Sequence, residues 1–275
     1  MKSALLLVGI ALLASSAPAA TLRIVSLAPN LTELAYAAGA GSTLVGTVDY
    51  SDFPNEARSL PRVGDAWRVD LERVLALHPD LVLVWPSGTP RTTIERLGEL
   101  GVRTVPIPTY RIAEVPAALR QLGALAGSGP VAERAAESFE RAIAAERAAH
   151  ARVAPVSVFI EIAAEPVFTV NGRHVISEMV DLCGGRNVFA ELPQLAPPIA
   201  TEAILAKDPD VILSADDSGA DPHRQWSRWG RLKAVRAGTV YALPPDLVVR
   251  ATPRLAQGVG AVCAALDDAR KRLGR

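Results

Sequence analysis

Three aromatic residues stand where a chain of alternating strands and helices turns. Tyr50 follows a predicted strand, Trp67 precedes a predicted helix, and Trp85 directly follows the strand Leu81 to Val84. Loops past the carboxyl ends of parallel strands are where open α/β sheets hold their ligands. A flat ring in such a loop offers stacking and apolar cover, not proton transfer. The alternative for each ring is that it plugs the packing beneath its own loop. Trp226 and Trp229 lie near a helix end before the last strand, and Trp229 reads as packing.

Covalent chemistry has little to work with here. The sequence contains no G-x-S-x-G, no H-E-x-x-H and no Walker loop. Gly39-Ala40-Gly41-Ser42-Thr43-Leu44 begins like a dinucleotide fingerprint, but Leu44 stands where the third glycine belongs and the segment follows a helix. The four histidines (His78, His150, His174, His223) lack metal-ligand spacing and are expected mostly on the surface or in loops. No metal site is expected. The only cysteines are Cys183 and Cys263, and neither has a visible histidine partner for catalysis. In a secreted chain an even cysteine count favours one disulfide, the alternative being two buried thiols. Closing a loop of about 80 residues would stabilise the fold by roughly 4 kcal/mol in the chain-entropy model.

The elements that must position these residues announce themselves by repetition. The segment Leu71-Glu72-Arg73-Val74-Leu75-Ala76-Leu77-His78-Pro79-Asp80-Leu81-Val82-Leu83 recurs 130 residues later as Thr201-Glu202-Ala203-Ile204-Leu205-Ala206-Lys207-Asp208-Pro209-Asp210-Val211-Ile212-Leu213. Each copy reads as a short helix opened by a glutamate, a Pro-Asp stop and an aliphatic strand. A period of half the chain implies two similar lobes, since a solenoid would repeat far sooner. Two lobes imply a cleft, and clefts between domains are where small molecules bind. Glu72 and Glu202 then form a two-fold related pair suited to a two-fold partner, although the helix dipole alone also favours a first-turn glutamate.

Strands alternate with helices along the chain, which indicates mainly parallel sheets covered on both faces. Asn30 with Glu33 reads as a capping box opening a helix that stops at Gly39. Between the lobes, Val131 to about Val153 holds neither Gly nor Pro and keeps Val131, Phe139 and Ile143 on one face. This predicts one rigid linking helix and little lobe motion. The expected division is a leader at 1–20, an α/β lobe at 21–129, the linking helix at 130–153 and a second α/β lobe at 154–275. The leader has a basic start, an apolar run of about ten residues and Ala17-Pro18-Ala19 before the cut, too short to span a bilayer. No cysteine follows it, so a soluble periplasmic protein without a lipid anchor is expected. With 29 basic and 29 acidic residues, the chain lacks the basic excess of a nucleic-acid or anionic-membrane surface.

Several motifs also carry a resemblance. Arg23-Ile24-Val25-Ser26-Leu27-Ala28-Pro29-Asn30-Leu31-Thr32-Glu33-Leu34 resembles the opening of the bilobal, helical-backbone substrate-binding proteins that feed cobalamin, siderophores or haem to ABC importers. Tyr50-Ser51-Asp52-Phe53-Pro54, Asp70 to Ala76, Leu182-Cys183-Gly184-Gly185-Arg186-Asn187-Val188-Phe189 and Arg250-Ala251-Thr252-Pro253-Arg254 are similar to its cobalamin branch. The resemblance implies a receptor and not an enzyme. It implies corrinoid contacts from Tyr50, Trp67 and Trp85 on the first lobe and from Phe168, Asp246 and Arg250 on the second. It also implies ion pairs from Glu72 and Glu202 to a dimeric inner-membrane permease with its ATPase subunits. The protein would be a monomer with no covalently bound cofactor. One departure is Pro197, which stands where that branch has a tryptophan. Two alternatives remain: a haem or ferric-siderophore receptor of the same fold, which Tyr110-Arg111 keeps open, and a secreted α/β enzyme with an unrecognised site.

Overall fold

The structure, a computed structural model, describes residues 22–65 and 67–275. The expected leader lies outside the described residues. The first lobe runs β1 (Ile24–Ser26), α1 (Pro29–Ala37), β2 (Leu44–Thr47), α2 (Leu71–Ala76), β3 (Leu81–Val84), α3 (Arg91–Glu99), β4 (Thr104–Pro106) and α4 (Glu114–Ala126). Helix α5 (Gly129–Ala149) follows. The second lobe begins with β5 (Val156–Glu161), a hairpin of β6 (Ala163–Ala164) and β7 (Val167–Phe168), α6 (Val175–Leu182) and β8 (Gly185–Asn187). It continues with α7 (Thr201–Lys207), β9 (Val211–Ser214), α8 (Pro222–Trp226), α9 (Lys233–Ala237), β10 (Val240–Ala242), α10 (Pro245–Val248) and α11 (Leu255–Leu273).

Each lobe is built on a four-stranded sheet, ordered β2-β1-β3-β4 in one and β8-β5-β9-β10 in the other. Every pair within these sheets is parallel. Counted within its own lobe, each sheet reads 2-1-3-4, so the duplication seen in one segment extends to the topology. Successive side chains of a strand point to opposite faces. In β3, Leu81 and Leu83 enter the main core cluster, while Val82 and Val84 enter a second cluster with Val25, Leu27 and Leu97. Burial on both faces explains the unbroken apolar runs of β3 and β9. The main cluster continues through Ala132, Ala136, Phe139 and Ile143 of α5 into Val259, Val262 and Leu266 of α11, so one core crosses both lobes.

The repeated segment keeps its backbone as well as its letters. His78 and Asp208, matched across the repeat, both adopt left-handed conformations, with φ of 45° and 42°. Asp80 accepts the Arg23 backbone N–H at 2.7 Å, and Asp210 accepts that of Ser157 at 3.0 Å. The same carboxylate therefore ties each short helix–strand unit to the first strand of its lobe. Cys183, capping α6, and Cys263 in α11 form a disulfide with a Cα–Cα distance of 4.9 Å.

Three local expectations give way to tertiary structure. The predicted capping box does not form: Pro29 starts α1 with Ala28 as its cap, which suits a proline at the first helical position. Asn30 instead donates to Thr109 at 2.9 Å, and Glu33 pairs with Arg254. Helix α5 ends at Ala149, short of the expected 153: His150 caps it with a non-helical backbone, and its ring Nδ1 lies 2.8 Å from the Glu146 carbonyl of the last turn. His150 is not a surface histidine. Its ring is nearly covered between Glu146 and Asp267.

Candidate functional site at the interlobe cleft

Two cross-lobe contacts orient the sheets. Asp52, past the end of β2, meets Arg250, past the end of β10, at 3.1 Å. On the other flank the Ile112 backbone N–H, past β4, donates to Glu178 of α6 at 2.9 Å, and α6 packs beside β8. The carboxyl ends of both sheets therefore face one another, β2 opposite β10 and β4 opposite the β8 side. The chain leaves the first strand of each lobe in one direction and later returns on its other side. That makes β1/β3 and β5/β9 the topological switch points, the usual binding crevice of such sheets. They lie across the cleft from each other.

The loop after β2 is anchored from below. Thr47 and Thr32 hydroxyls lie 2.6 Å apart, Thr47 donates to Ser51 at 2.8 Å, and all three are buried. Arg62 donates to the carbonyls of Val48 and Ser51 at 3.1 and 3.0 Å. Held between these anchors, Tyr50 adopts φ of 63° and leaves its side chain 77% exposed. Left-handed backbone at a bulky residue costs about 1–3 kcal/mol and persists only where the surroundings impose it. Trp67 is 72% exposed in the adjoining turn, where the Asp65 carboxylate accepts the backbone N–H groups of Trp67 and Arg68, both at 2.7 Å. Two large rings thus stand in solvent on stiff supports, which rules out loop-plugging for both.

Trp85 differs. It follows β3 at the switch point, its turn closed by Thr89, whose hydroxyl accepts the Trp85 N–H at 3.0 Å. The ring is half-buried, and its Nε1–H is fully covered with no acceptor. An unpaired buried donor costs about 1–3 kcal/mol and calls for an explanation. Thr252 Oγ1, between Arg250 and Arg254, is likewise buried without a partner.

On the second lobe, Arg250 bridges Asp246 at 3.2 Å and Asp52 at 3.1 Å. Burial alone would push the Asp52 carboxyl up, but the hydrogen bond and charge of Arg250 hold it below the usual carboxylate range. Phe168 is half-buried in the hairpin, bridged to Pro198, and the Pro197 carbonyl accepts the Thr169 N–H at 3.1 Å. The structure brings Asp246 and Arg250 together, and places the other expected ligand residues around the cleft without direct contact between them.

A large cavity of about 920 Å³ contains none of the expected residues. It lies at the second switch point, between the hairpin at Ala163–Glu165 and the loop Asp216–Asp221, and Arg224, Gln225 and Arg228 close it. Gln225 of this lining donates to Glu161 at 2.9 Å, and that buried carboxylate also accepts from Ser214 and Trp226 at 2.8 and 3.1 Å. Burial raises the Glu161 pKa in spite of these three donors. Trp226 thereby proves to be core, edge-on to Phe159 at 5.6 Å, and Trp229 packs against the same cluster. The repeat itself held the clue to this cavity, since the loop after β9 occupies the place of the Trp85 turn 130 residues earlier.

Glu72 and Glu202 are both exposed in the first turns of α2 and α7. Crossover helices run against their parallel strands, so these first turns lie at the carboxyl edges, the cleft side of each lobe. Among the described residues Glu146, His150 and Cys263 come close enough to hold a metal, but Cys263 is spent in the disulfide. No helix of the described residues is long and apolar enough to cross a membrane.

Comparison with known proteins agrees with this architecture. The sequence profile of the periplasmic binding protein family matches residues 24–247. A vitamin B12-binding protein of Vibrio cholerae is 35% identical over 251 residues, 91% of each chain. The crystal structure of the periplasmic vitamin B12-binding protein BtuF of Vibrio cholerae superposes with a TM-score of 0.84 at 34% identity, covering 90% of this chain and 98% of that one. The periplasmic haem-binding protein RhuT of Roseiflexus sp. RS-1 has a TM-score of 0.80 over 90% of this chain and 99% of its own, and at 24% identity that likeness concerns the fold. With duplicated parallel sheets, a cleft between their carboxyl ends and a profile spanning both lobes, the chain belongs to the periplasmic binding protein family.

Proposed function

We propose that this chain is a non-enzymatic periplasmic receptor. It captures cobalamin or a related corrinoid and delivers it to an inner-membrane ABC permease dimer with its ATPase subunits. The observation that carries the reading is the unequal cleft: rings of Tyr50, Trp67 and Trp85 on one side, a large cavity lined by small and charged residues on the other. A corrinoid is a broad, partly apolar disc edged with amides. Aromatic faces cover such a disc, while carboxylates and guanidiniums hydrogen-bond its rim. Phe168, Asp246 and Arg250 complete the contacts from the second lobe. Glu72 and Glu202 form the docking pair for the permease. Residues 1–20 serve as the secretion leader, and the mature protein works as a monomer without a bound cofactor. Pro197 leaves the second lobe one stacking surface short of the cobalamin branch.

The test is direct. Purified protein mixed with cobalamin and desalted should emerge pink-red with a corrin absorbance band. Titration calorimetry against cobalamin, cobinamide and haem should rank both corrinoids above haem. A colourless protein, or tighter binding of haem, would reject the assignment.

A further inference from the structure

Arg254 joins the lobes in a way that bears on the ligand surface. Its guanidinium makes two hydrogen bonds to Glu33 of α1, at 2.9 and 2.7 Å, and Glu33 is only 3% exposed. These bonds hold the Arg254 pKa above its usual value, so it is charged throughout the physiological range. The same guanidinium lies over the Phe53 ring, 3.9 Å from its centroid. Four residues earlier, Arg250 holds Asp52. Asp52 and Phe53 are the second and third residues after Tyr50. The second lobe therefore grips the Tyr50 loop at two successive side chains, and the first lobe anchors the same loop through Ser51.

We infer that Arg254 is a positioning residue for the corrinoid surface: through its stack on Phe53 and its pair with Glu33 it sets the pose of the Tyr50 ring, without touching the ligand. This rests on the proposed function for the identity of the ligand, but not for the coupling. A left-handed residue can be held only if both sides of it are fixed. The first lobe holds Val48 before Tyr50 and Ser51 after it, and Arg58 donates to the Asp52 carbonyl at 3.2 Å. The side chains of Asp52 and Phe53 are in addition gripped across the cleft by Arg250 and Arg254, so the pose of the Tyr50 ring depends on both lobes.

Two variants separate this role from general stability. Phe53→Leu removes the ring but leaves the Glu33 pair. Arg254→Lys keeps a charge for Glu33 but loses the planar stack, for which lysine is no substitute. With 3-fluorotyrosine incorporated and the Tyr50 resonance assigned by Tyr50→Phe, both variants should shift or broaden the Tyr50 fluorine signal in the ligand-free protein while those of Tyr110 and Tyr241 stay in place. An unmoved Tyr50 signal in both overturns the inference, whether or not any corrinoid binds. Each variant should also weaken cobalamin binding by about threefold to tenfold, the scale of a cation–π contact. That loss should vanish in a Tyr50→Ala background. An equal loss with and without Tyr50 would show that Arg254 acts through something other than Tyr50 and would defeat the proposal. Absence of binding in the wild type would reject the corrinoid reading alone.

Discussion

Replacing Gly88 with alanine tests whether the Trp85 ring is ligand surface. Gly88 is buried in the turn that follows β3, and its N–H bonds the Trp85 carbonyl at 3.0 Å. A Cβ there would lie 2.5 Å from Cζ3 of Trp85, and closer still to Cε3, where ordinary contact begins at 3.4 Å. Its φ is not left-handed, so the substitution acts on the ring and not on the backbone. The ring edge must retreat by about 1 Å, and a gap of that size forfeits up to about half of each dispersion contact it makes. Stacking of a well-placed ring is worth about 0.5–1.5 kcal/mol beyond its burial. Losing most of it costs about 1 kcal/mol, or roughly fivefold weaker cobalamin binding. Stability should fall by only about 1 kcal/mol, since overpacking is partly offset by the stiffer unfolded chain. Titration calorimetry reads the affinity, urea unfolding the stability, and tryptophan fluorescence the displacement of the ring. Unchanged affinity alongside an altered tryptophan spectrum would refute the reasoning, because the ring would have moved without consequence.

Reversing both docking charges, Glu72→Lys with Glu202→Lys, should abolish corrinoid uptake in cells while leaving the calorimetric affinity within about twofold, since exposed charges away from the contact contribute little to it; normal uptake would reject the docking role. Burial pushes the His174 pKa down to about 4. Its folded value thus lies below the unfolded value near 6.5, so the unfolded chain takes up the proton first and stability is lost as pH falls from about 6.5 to 4. Because the residue keeps some exposure, the loss should be roughly 2 kcal/mol. The neutral Nδ1 accepts the Ile176 N–H at 3.2 Å and so caps α6, a task that His174→Asn should preserve while flattening the pH dependence of urea unfolding. A pH profile identical in both proteins would show that His174 is not the group responsible.

Much of the fold was legible because its signals are local. The runs Leu81–Val84 and Val211–Ser214 announce buried parallel strands, and α5 shows an uninterrupted helical face. Strand β8 was not legible: Gly185-Arg186-Asn187 is an edge strand with no apolar alternation, paired on one side only. The misread cap at Asn30 has the same origin as the missed cross-lobe pin. Glu33 has the type and spacing of a capping residue, but a partner 221 positions away claims it. In the site, exposed Tyr50 and Trp67 could be singled out because large rings in loops are conspicuous. The Asp216–Asp221 loop could not, since a short polar loop looks the same whether it lines a cavity or merely turns.

The two lobes agree and disagree in a pattern with its own logic. Where the chain meets its own backbone, the copies match: Asp80 with Asp210, and left-handed His78 with Asp208. Where it would meet a dimeric permease they match again, Glu72 with Glu202. Where it would meet the ligand they differ, for the place of Trp85 is taken by Ala215 and the loop beyond becomes acidic. A corrinoid has two chemically distinct faces, so a symmetric cleft would satisfy at most one of them, and each matching side chain opposite would be left facing the wrong group. A two-fold permease imposes the reverse requirement, because any docking residue on one lobe needs its counterpart on the other. Symmetry retained at the rim and lost in the crevice is what a single chain must show if it holds an asymmetric guest and presents it to a symmetric host.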